Sequence, residues 1–325
     1  MAFVALFGQN RPVRVVVVGA GVAGLSAARH MAEAGHRVRV LDKGRRVGGR
    51  LATKRLAGGA RADHGAQFFT ARSREFKAQV DTWLADGTVH EWCRGFGGDD
   101  GHPRFVARHG MSELAARLAH GLAVQSSVTV AAVRRGAGGW IVDWSANHGG
   151  EVGSTTADVV LLTAPVPQSG ALVGEYVSVP ELRYTPTLSL LVVLAGSPSI
   201  PSPGGLQLRG DPLWSWIADN VAKGVSSVPV VTFHTRADVA ATRWKEDDQA
   251  LTADLLSAAT PWLGGAAVVQ VALHRWRYAT PENPYPQQCW MSPDGTIVLA
   301  GDAFGGPKVE GAFRSGLAAA TLILD

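Results

Sequence analysis

An apolar strand, a glycine-rich turn, a helix and a second strand follow one another between residues 15 and 50. The turn reads Gly19-Ala20-Gly21-Val22-Ala23-Gly24, and the second strand ends at Asp42. In such a unit the first glycine allows a tight turn, the second lets a pyrophosphate approach the backbone, and the third lets helix and strand pack closely. A carboxylate at the end of the second strand can accept hydrogen bonds from both hydroxyls of an adenosine ribose. These residues therefore predict a dinucleotide-binding unit.

The helix after this turn supplies an anion site that needs no cationic side chain. Its first N–H groups and its positive dipole end face the place that the phosphates would occupy. Gly35 follows the helix and predicts its end. Because Asp42 would repel a 2′-phosphate, the pattern favours a dinucleotide with an unphosphorylated adenosine ribose.

Composition excludes several classes of protein. The length of 325 residues suggests about two domains, and the net charge of +4 arises from 31 basic and 27 acidic residues without a long basic block. This dispersed excess suits phosphate-bearing small molecules better than nucleic acid, so no nucleic-acid partner is expected. Cys93 and Cys289 are too few for a disulfide framework or a metal site. We therefore predict a cytoplasmic protein without a metal.

Residues 1 to 10 are predicted to form a loose extension. The apolar run from Ala2 to Phe7 has no basic residue before it and leads almost directly into the first strand, so a signal peptide is not expected. No stretch approaches about 18 uninterrupted apolar residues, and no membrane-spanning helix is predicted.

Hydrophobic periodicity and turn residues predict two further groups of elements. The first group contains a helix, a hairpin and a strand, at Ser112–His120, Val128–Arg134 with Trp140–Trp144, and Asp158–Thr163. Pro165 then ends the pairing. The second group contains three strands and a helix, at Leu188–Leu194, Val228–Thr232, Ala266–Leu273 and about Glu246–Ala259. It predicts a separate sheet-plus-helix domain.

The C-terminal segment repeats the pattern of the beginning. A short strand at Ile297–Ala300 ends in Gly301-Asp302, and a glycine-led helix follows at Gly311–Leu324. A second helix N-terminus would thereby reach the same nucleotide. The nucleotide domain is therefore predicted to be discontinuous in the sequence.

Three segments together resemble the large family of FAD-dependent oxidases related to monoamine oxidase. They are the N-terminal unit, Arg46-Val47-Gly48-Gly49-Arg50, and Gly301-Asp302 with Glu310-Gly311-Ala312. The resemblance implies FAD as the cofactor. It further implies that the double glycine and its arginine follow the pyrophosphate, that the Gly-Asp pair contacts ribityl or phosphate oxygens, and that the Gly-Ala pair approaches the pyrimidine edge of the flavin. Since no cysteine lies near this last pair, non-covalent binding is expected.

The predicted FAD-binding set also includes residues that flank these segments. It consists of Gly19, Gly21, Val22, Ala23, Gly24, Asp42, Lys43, Gly49, Arg50, Gly65, Ala66, Gln67, Val128, Ala164, Gly301, Asp302, Glu310, Gly311 and Ala312. The predicted fold class is α/β, with a discontinuous Rossmann-like FAD-binding domain and a second α+β substrate domain built on a mixed or antiparallel sheet. The expected boundaries are 11–72, 104–165 and 292–325 for the FAD-binding domain, and 73–103 and 166–291 for the substrate domain.

A closer resemblance, to bacterial renalases, covers almost the whole chain from Val13 to Leu324. It rests on the segment from Asp63 to Arg72, on Gly110-Met111-Ser112, and on the segment from His274 to Ala279. What it implies is oxidation of dihydronicotinamide dinucleotides that are reduced at the wrong ring carbon. The products would be NAD(P)⁺ and, from O₂, hydrogen peroxide, and the role would be metabolite repair.

Such a reaction needs two stacked flat rings more than it needs an acid and a base. We therefore predict Phe68 and Trp276 as aromatic walls, and the resemblance implies that Gln67 lies beside the flavin, so Gln67, Phe68 and Trp276 form the predicted catalytic set. Further aromatic candidates are Phe69, Tyr278, Phe304 and Phe313, of which Phe69 and Phe313 suit core packing better. His64 and His274 are interpreted as hydrogen-bonded structural residues. The bacterial relatives have an aromatic residue directly after the Gly-Asp pair, whereas this chain has Ala303 followed by Phe304.

Two other functions remain open on the sequence alone. The first is an amine oxidase or desaturase-like flavoenzyme acting on an amine or a polyene. The second is a module that binds FAD without turnover. A pyridine-nucleotide reductase is disfavoured because only one glycine fingerprint is present. The exact substrate, the oligomeric state, and the roles of Arg277 and Lys308 are left open.

Overall fold

A computed structural model of the protein describes residues 11–98 and 100–325, so the predicted N-terminal extension lies outside the described residues. The chain divides into two compact units. The first contains the described residues up to Gly49 together with Ala115–Arg183 and Pro281–Asp325, and the second contains Arg50–Leu114 and Tyr184–Thr280. The predicted division by function, with boundaries near residues 72, 104, 165 and 292, stays a prediction.

The regular elements are numbered here in chain order. The strands are β1 (Arg14–Val18), β2 (Arg37–Leu41), β3 (Thr53–Arg55), β4 (Arg61–Asp63), β5 (Val89–Cys93), β6 (Arg104–Ala107), β7 (Val124–Gln125), β8 (Val128–Gly136), β9 (Gly139–Ala146), β10 (Val152–Ala157), β11 (Val159–Leu162), β12 (Tyr184–Leu194), β13 (Gly205–Gln207), β14 (Trp214–Asp219), β15 (Val230–Thr235), β16 (Val268–Pro281), β17 (Trp290–Met291) and β18 (Ile297–Leu299). The helices are α1 (Val22–Glu33), α2 (Arg74–Ala85), α3 (Ser112–Ala119), α4 (Val166–Val173), α5 (Ala237–Thr242), α6 (Asp248–Ala259) and α7 (Val309–Leu324). Short 3₁₀ turns lie at Gly49–Leu51, Ala57–Gly59 and Thr260–Trp262.

The first unit is built on a six-stranded sheet in the order β17-β18-β11-β1-β2-β7. Strand β1 runs parallel to both β2 and β11, and β11 runs parallel to β18. Residues Val15–Val18 of β1 are buried, as is typical of a central parallel strand that is covered on both faces. Because its strands come from the beginning, the middle and the end of the chain, this Rossmann-like unit is discontinuous, which confirms the predicted fold class.

A three-stranded meander, β8 to β10, completes the first unit. The predicted hairpin is present here, with β8 and β9 antiparallel and closed by the Gly136–Gly139 pair. The strands run farther than the hydrophobic pattern indicated, because their outer residues gain ladder hydrogen bonds that hydropathy does not report.

The second unit is built on a five-stranded sheet in the order β13-β14-β15-β12-β16, in which β13 to β15 and β12 pair antiparallel. Alternate residues of β12 face opposite sides. Leu188, Leu190, Val192 and Leu194 belong to the core that includes α6, and Leu191 and Val193 pack with Ala60 and Ala62 beside β4. Because side chains alternate between the two faces of a strand, Leu191 and Val193 place β4 against the face of the sheet opposite to α6. The predicted α+β domain on a mixed or antiparallel sheet is therefore confirmed.

The sequence pattern missed several short elements of the second unit and its surroundings. Helix α2 is capped by Ser73, whose side chain accepts a hydrogen bond from the Phe76 N–H. Strand β14 was missed because two tryptophans and a serine break a simple apolar run. Within residues 11–98 and 100–325, none of the helices combines the length and the apolar character that crossing a membrane requires.

Candidate cofactor and active site

The glycine turn after β1 is held by side chains of neighbouring strands. Gly19 has a φ of +113°, and its N–H donates to the Leu41 carbonyl at 2.8 Å. The Thr163 hydroxyl donates to the carbonyls of Val18 and Gly19, both at 3.1 Å. A Cβ atom on Gly19 would lie 2.5 Å from that hydroxyl oxygen. Glycine is therefore required at the first fingerprint position, and Thr163, which the sequence reading overlooked, locks the turn.

The second and third fingerprint glycines differ in what a side chain would meet. A Cβ atom on Gly24 would lie 2.0 Å from the Gly19 carbonyl oxygen, whereas one on Gly21 would meet no atom of the described residues within 4 Å. Gly24 thus serves the packing of α1 on β1. The open space at Gly21, which precedes the first turn of α1, fits the approach of a pyrophosphate to the backbone.

Asp42 ties the end of β2 to this turn. Its Oδ2 accepts from the Ala20 N–H and its Oδ1 from the Gly44 N–H, both at 2.6 Å. A carboxylate oxygen has two lone pairs, so each oxygen can still accept a ribose hydroxyl. Two other predicted residues lie beside it, since the Val128 N–H donates to the Asp42 carbonyl at 3.0 Å and Lys43 follows in the chain.

The double glycine contacts the fingerprint. The Gly48 N–H donates to the Ala20 carbonyl at 2.8 Å, and a Cβ atom on Gly49 would lie 3.7 Å from Gly21 Cα. Gly49 is exposed. The predicted residues Gly21 and Gly49 are therefore brought together at one edge of the sheet.

The C-terminal helix packs closely on α1. A Cβ atom on Gly316 would lie 2.2 Å from the Ala23 carbonyl oxygen, and the Ser26 hydroxyl donates to the Phe313 carbonyl at 3.2 Å. These contacts involve the first two turns of both α1 and α7. The two helices therefore cross near their N-termini, as the repeated pattern at the two ends of the chain suggested.

The loop before α7 completes this part of the site. The Gly301 N–H donates to the Ser315 hydroxyl at 2.8 Å, and a Cβ atom on Gly301 would lie 3.9 Å from the Thr163 carbonyl oxygen. Gly301 is thus next to Thr163 and its neighbour Ala164. A Cβ atom on Gly311 would lie 1.9 Å from the Gly306 carbonyl oxygen, so this glycine is required by packing within the loop. Asp302, Glu310 and Ala312 are half-buried beside these positions.

These observations fit a dinucleotide cofactor. The N-cap residues of α1 and α7, Gly21 and Lys308, form no side-chain capping hydrogen bond, and a helix start of this kind can offer N–H groups to an anion. Gly21 and Gly49 would face the pyrophosphate with their backbone, Gly19 shapes the turn, and Asp42 would bind the ribose. The observation that supports a dinucleotide is the open space beside the Gly21 backbone, where a pyrophosphate could approach.

An Asp42→Ala variant is expected to purify largely without flavin. The change removes the acceptor for two ribose hydroxyls and also two backbone hydrogen bonds that shape the turn, at Ala20 and Gly44. The ratio of flavin absorbance to protein absorbance measures the occupancy. An Asp254→Ala variant is the control, because that exposed carboxylate lies on α6 in the second unit and pairs with Arg243. Full flavin occupancy in Asp42→Ala would contradict the assignment of Asp42 to the ribose.

The second unit contains a fully buried ion pair. The Lys223 ammonium lies 2.7 Å from Asp63 Oδ2, and both side chains have no exposed surface. The other oxygen of Asp63 accepts from the Thr53 hydroxyl at 2.5 Å and from the Met111 N–H at 2.8 Å. Burial lowers the pKa of Lys223, and the charge of Asp63 opposes that shift. Neither residue was in the predicted site, since Asp63 ends β4, Lys223 lies in a loop, and no sequence spacing links the two.

Gln67 is buried against this pair. Its Nε2 donates to the carbonyls of Asp63 and Gly65, at 2.7 and 3.1 Å, and its Oε1 accepts from Lys223 Nζ at 3.3 Å. His234 lies near the same amide nitrogen, at 3.5 Å. The predicted catalytic residue Gln67 is therefore part of a buried polar network within the second unit.

Three aromatic rings lie beside the network. The Trp276 indole N–H donates to the His64 carbonyl at 2.5 Å, and the Trp276 ring stacks on the His64 imidazole with 5.2 Å between centroids. His274 packs edge-on against both rings. Burial, followed by electrostatic interactions with His274 and Lys54, lowers the pKa of His64 to about 3. Both histidines therefore stay neutral near pH 7, because burial lowers the pKa of His274 as well.

Phe68 belongs to a different cluster from Trp276. Its ring lies 5.1 Å from Phe96, 5.4 Å from Trp216 and 6.4 Å from Trp92, measured between centroids. Phe69 packs instead into a core of Phe76, Trp83 and Phe105.

The other aromatic candidates are divided between the two units. Tyr278 packs on Tyr184 in the second unit. Phe304 packs on Tyr285 in the first unit, where Phe313 is also buried.

Arg50 opens the second unit and contacts β16. Its guanidinium donates to the carbonyls of Tyr278 and Ala279, at 3.3 and 3.2 Å, and its own carbonyl accepts from the Ala66 N–H at 2.8 Å. A Cβ atom on Gly65 would lie 2.0 Å from the Arg50 carbonyl oxygen. The predicted residues Arg50, Gly65 and Ala66 therefore lie together.

The predicted site residues are thus distributed over both units. Arg50, Gly65, Ala66, Gln67, Phe68 and Trp276 lie in the second unit, and the remaining predicted residues lie in the first. Their contacts with a cofactor stay predictions. In the part of the chain that the structure describes, no group of three His, Cys, Asp or Glu residues is arranged to hold a metal ion.

Comparison with known proteins agrees with this geometry. Residues 17–83 match the sequence profile of an NAD(P)-binding Rossmann-like domain, and residues 81–324 match that of the flavin containing amine oxidoreductases. The chain belongs to the flavin-containing amine oxidoreductase family. Membership implies a flavin cofactor.

Individual relatives are similar in sequence to this chain over short segments. An L-amino-acid oxidase of Crotalus adamanteus is 58% identical over 50 residues, which are 15% of this chain and 10% of that protein. An L-amino-acid oxidase of Mus musculus is 53% identical over 55 residues, which are 16% of this chain and 9% of that protein. The matched segments thus span about a tenth of the length of these relatives.

A solved structure agrees over the whole length. A protein of Exiguobacterium sp. 255-15, described as a candidate protoporphyrinogen oxidase, superposes with a TM-score of 0.70 at 15% identity. The match covers 98% of this chain and 99% of that one. At this level of identity the likeness establishes the fold alone.

Proposed function

We propose that this protein is an FAD-dependent oxidase of misreduced dihydronicotinamide dinucleotides that returns NAD(P)⁺ and produces hydrogen peroxide from O₂. The proposal rests on the contacts among the three motifs that resemble bacterial renalases. Asp63, from the first motif, accepts from the N–H of Met111, 48 positions away in the second. His64, also from the first, accepts from the indole of Trp276, 212 positions away in the third. Motifs so far apart in sequence support one site when they meet around one buried network.

The chemistry of the network suits hydride transfer. FAD, held as proposed by Gly21, Gly49 and Asp42, would supply the hydride acceptor for the dihydropyridine ring, which becomes aromatic, and the two-electron donor for O₂, with one proton from solvent completing H₂O₂. No proton need be removed from carbon, because the ring nitrogen already activates the C–H bond. The low pKa of His64, about 3, keeps that imidazole neutral, and Lys223 is held by Asp63. These groups therefore position backbone and rings and do not act as a strong base.

The remaining parts of the proposal concern binding and location. FAD is held non-covalently, because Cys93 and Cys289 are both remote in sequence from the glycine turn and from the start of α7. Phe68 and Trp276 form separate walls beside the reacting rings, and Gln67 lies beside the flavin. The site is proposed to work in the cytoplasm, in metabolite repair.

A second candidate is an oxidase of an amine or an amino acid on the same scaffold. The family and the short matches to L-amino-acid oxidases favour it. Such an enzyme would need to accept its substrate as a free amine, since a protonated amine cannot donate a hydride readily. A third candidate, a module that binds FAD without turnover, would leave the flavin oxidised with every reductant of these classes.

The deciding experiment is an anaerobic stopped-flow scan of the flavin-loaded protein. It is mixed separately with NADH, with borohydride-reduced NAD⁺ containing the misreduced isomers, and with a set of L-amino acids and primary amines. Rapid bleaching at about 450 nm by the isomer mixture but not by NADH is expected. Bleaching only by an amine or amino acid would replace the proposal with the second candidate, and bleaching by none would favour the third.

Phe68→Leu and Phe69→Leu form a matched pair for the aromatic walls. We expect Phe68→Leu to slow flavin reduction by the isomers about tenfold, because the loss of a ring contact near the reacting rings disturbs their alignment. Phe69→Leu should lower stability and leave the reduction rate within about twofold, since its ring packs with Phe76 and Trp83 in the core. Equal rates for the two variants would remove Phe68 from the proposed site.

A further inference from the structure

Side chains of the second unit satisfy three consecutive carbonyls between Asp63 and Gly65. The Asp63 carbonyl accepts from the Thr232 hydroxyl at 2.9 Å and from Gln67 Nε2 at 2.7 Å. The His64 carbonyl accepts from Trp276, and the Gly65 carbonyl from Gln67. The N–H groups of His64 and Ala66 donate to the backbone carbonyls of Ala52 and Arg50, whereas the carbonyls of this loop depend on side chains for their hydrogen bonds. Gln67, which contributes two of these bonds, is therefore central to the shape of the loop.

The Gln67 amide can do this in only one orientation. In the observed orientation its NH₂ group faces the carbonyls of Asp63 and Gly65, and its oxygen faces Lys223. If the amide were rotated by half a turn, its oxygen would face a carbonyl oxygen at 2.7 Å and its NH₂ group would face an ammonium. Lys223 is the donor that selects the correct orientation.

We propose that Lys223, held by Asp63, is a positioning residue that orients the Gln67 amide and thereby fixes the backbone of residues 63–67 at the active site. This inference rests on the proposed function only in assigning that loop to the active site. Lys223 itself is well placed to act as a fixed donor. The backbone N–H of Lys223 donates to the Asp219 carbonyl at 3.0 Å, and the backbone carbonyl of Lys223 contacts His90 Nε2 at 3.2 Å. The backbone that carries the ammonium is thus anchored on both sides.

The paired carboxylate keeps that donor charged inside the unit. A buried ammonium without a counter-ion tends to lose its proton and could then also accept a hydrogen bond, so it would no longer select one amide orientation. Asp63 is in turn held by Thr53 and Met111, which fixes its second oxygen. The chain of contacts therefore runs from Met111 through Asp63 and Lys223 to Gln67.

The test uses two doubly substituted proteins that are both neutral at this pair. Asp63→Asn/Lys223→Gln keeps an N–H donor near the Gln67 oxygen, and Asp63→Asn/Lys223→Met has none at that position. Neither leaves an unpaired buried charge, so both are expected to fold. The side-chain amide resonance of Gln67 is measured in ¹⁵N-labelled flavin-free protein and identified by its loss in Gln67→Leu. We call Asp63→Asn/Lys223→Met the methionine protein and Asp63→Asn/Lys223→Gln the glutamine protein. Hydrogen exchange of the Gln67 amide is expected to be at least about tenfold faster in the methionine protein than in the glutamine protein.

A second measurement follows flavin reduction in the loaded proteins. The methionine protein should be reduced about tenfold more slowly than the glutamine protein, and this difference should vanish when Gln67→Leu is added to both. Equal amide exchange in the two flavin-free proteins, or a rate difference that persists without Gln67, would overturn the positioning role. The exchange measurement needs neither FAD nor a substrate, so it reports on Lys223 even if the misreduced isomers fail to reduce the flavin.

Discussion

A Gly21→Ala variant is expected to fold as stably as the wild-type apoprotein and to bind FAD roughly 10- to 100-fold more weakly. The added methyl group meets no atom of the described residues within 4 Å, so the flavin-free chain accommodates it. Gly21 has a φ of −81°, which any residue can adopt. Because the methyl group would occupy the space that a pyrophosphate needs against the backbone, its effect falls on binding. The cost to the free energy of unfolding should stay below about 1 kcal/mol.

Gly24→Ala is the matched control from the same turn. Its methyl group would lie 2.0 Å from the Gly19 carbonyl oxygen, a backbone atom that cannot rotate away. We expect the flavin-free protein to lose at least about 2 kcal/mol of its free energy of unfolding, despite the better helix propensity of alanine. Urea unfolding of the flavin-free proteins and titration with FAD separate the two effects. Equal losses of stability in both variants, or wild-type affinity in Gly21→Ala, would contradict the assignment of Gly21 to the phosphates.

The local geometry of the glycine turn follows from the sequence, whereas the contacts of its residues with a nucleotide stay predictions. The glycines, α1 and Asp42 lie within 24 positions of one another, and each has a local role that one residue type fulfils. The hydrogen bonds from Ala20 and Gly44 to Asp42 follow from that local geometry. The C-terminal segment of the same domain could be predicted because Gly301 and the start of α7 repeat the same strand-to-helix pattern.

The network of the second unit could not be predicted in the same way. Lys223 lies in a loop with no periodicity, and its partner Asp63 is 160 positions earlier. Charged residues in loops are usually exposed, so nothing in the sequence marks this pair as buried. Trp276 was chosen for its aromatic ring, whereas the structure also gives a structural role to its indole N–H, on the His64 carbonyl. Such roles depend on long-range packing of β4, β15 and β16, which local patterns do not encode.

Breaking the buried ion pair is expected to have the largest effect on stability. Lys223→Met leaves the Asp63 carboxylate buried without its counter-ion, and Asp63→Asn does the same to the ammonium. Each single change should lower the free energy of unfolding by about 3–5 kcal/mol. The double change Asp63→Asn/Lys223→Met should cost less than about 2 kcal/mol, because it leaves no uncompensated charge. Urea unfolding of the four flavin-free proteins gives the coupling energy directly.

The exposed pair Arg134–Asp143 provides the control. Its atoms approach to 2.6 Å, closer than the 2.7 Å of the buried pair, yet its side chains are 50% and 31% exposed. Arg134→Met should therefore cost less than about 1 kcal/mol. If the Lys223 and Arg134 variants lost similar stability, burial would not be the reason for the strength of the Asp63–Lys223 coupling.

The pH dependence of the free energy of unfolding of Asp63→Asn tests whether the buried Lys223 ammonium causes the loss of stability. Removal of the carboxylate takes away the interaction that opposes the effect of burial, so the pKa of Lys223 falls further in the folded protein. The unfolded chain, in which this lysine has its ordinary pKa, then binds one proton more than the folded chain over the pH range between the two pKa values. Stability of Asp63→Asn should therefore rise with pH below the ordinary lysine pKa of 10.5, from the point where Lys223 loses its proton in the folded protein, by up to about 1.4 kcal/mol per unit. Relative to it, Asp63→Asn/Lys223→Met should lack that rise, and an identical pH profile for the two proteins would show that the buried ammonium is not the source of the instability.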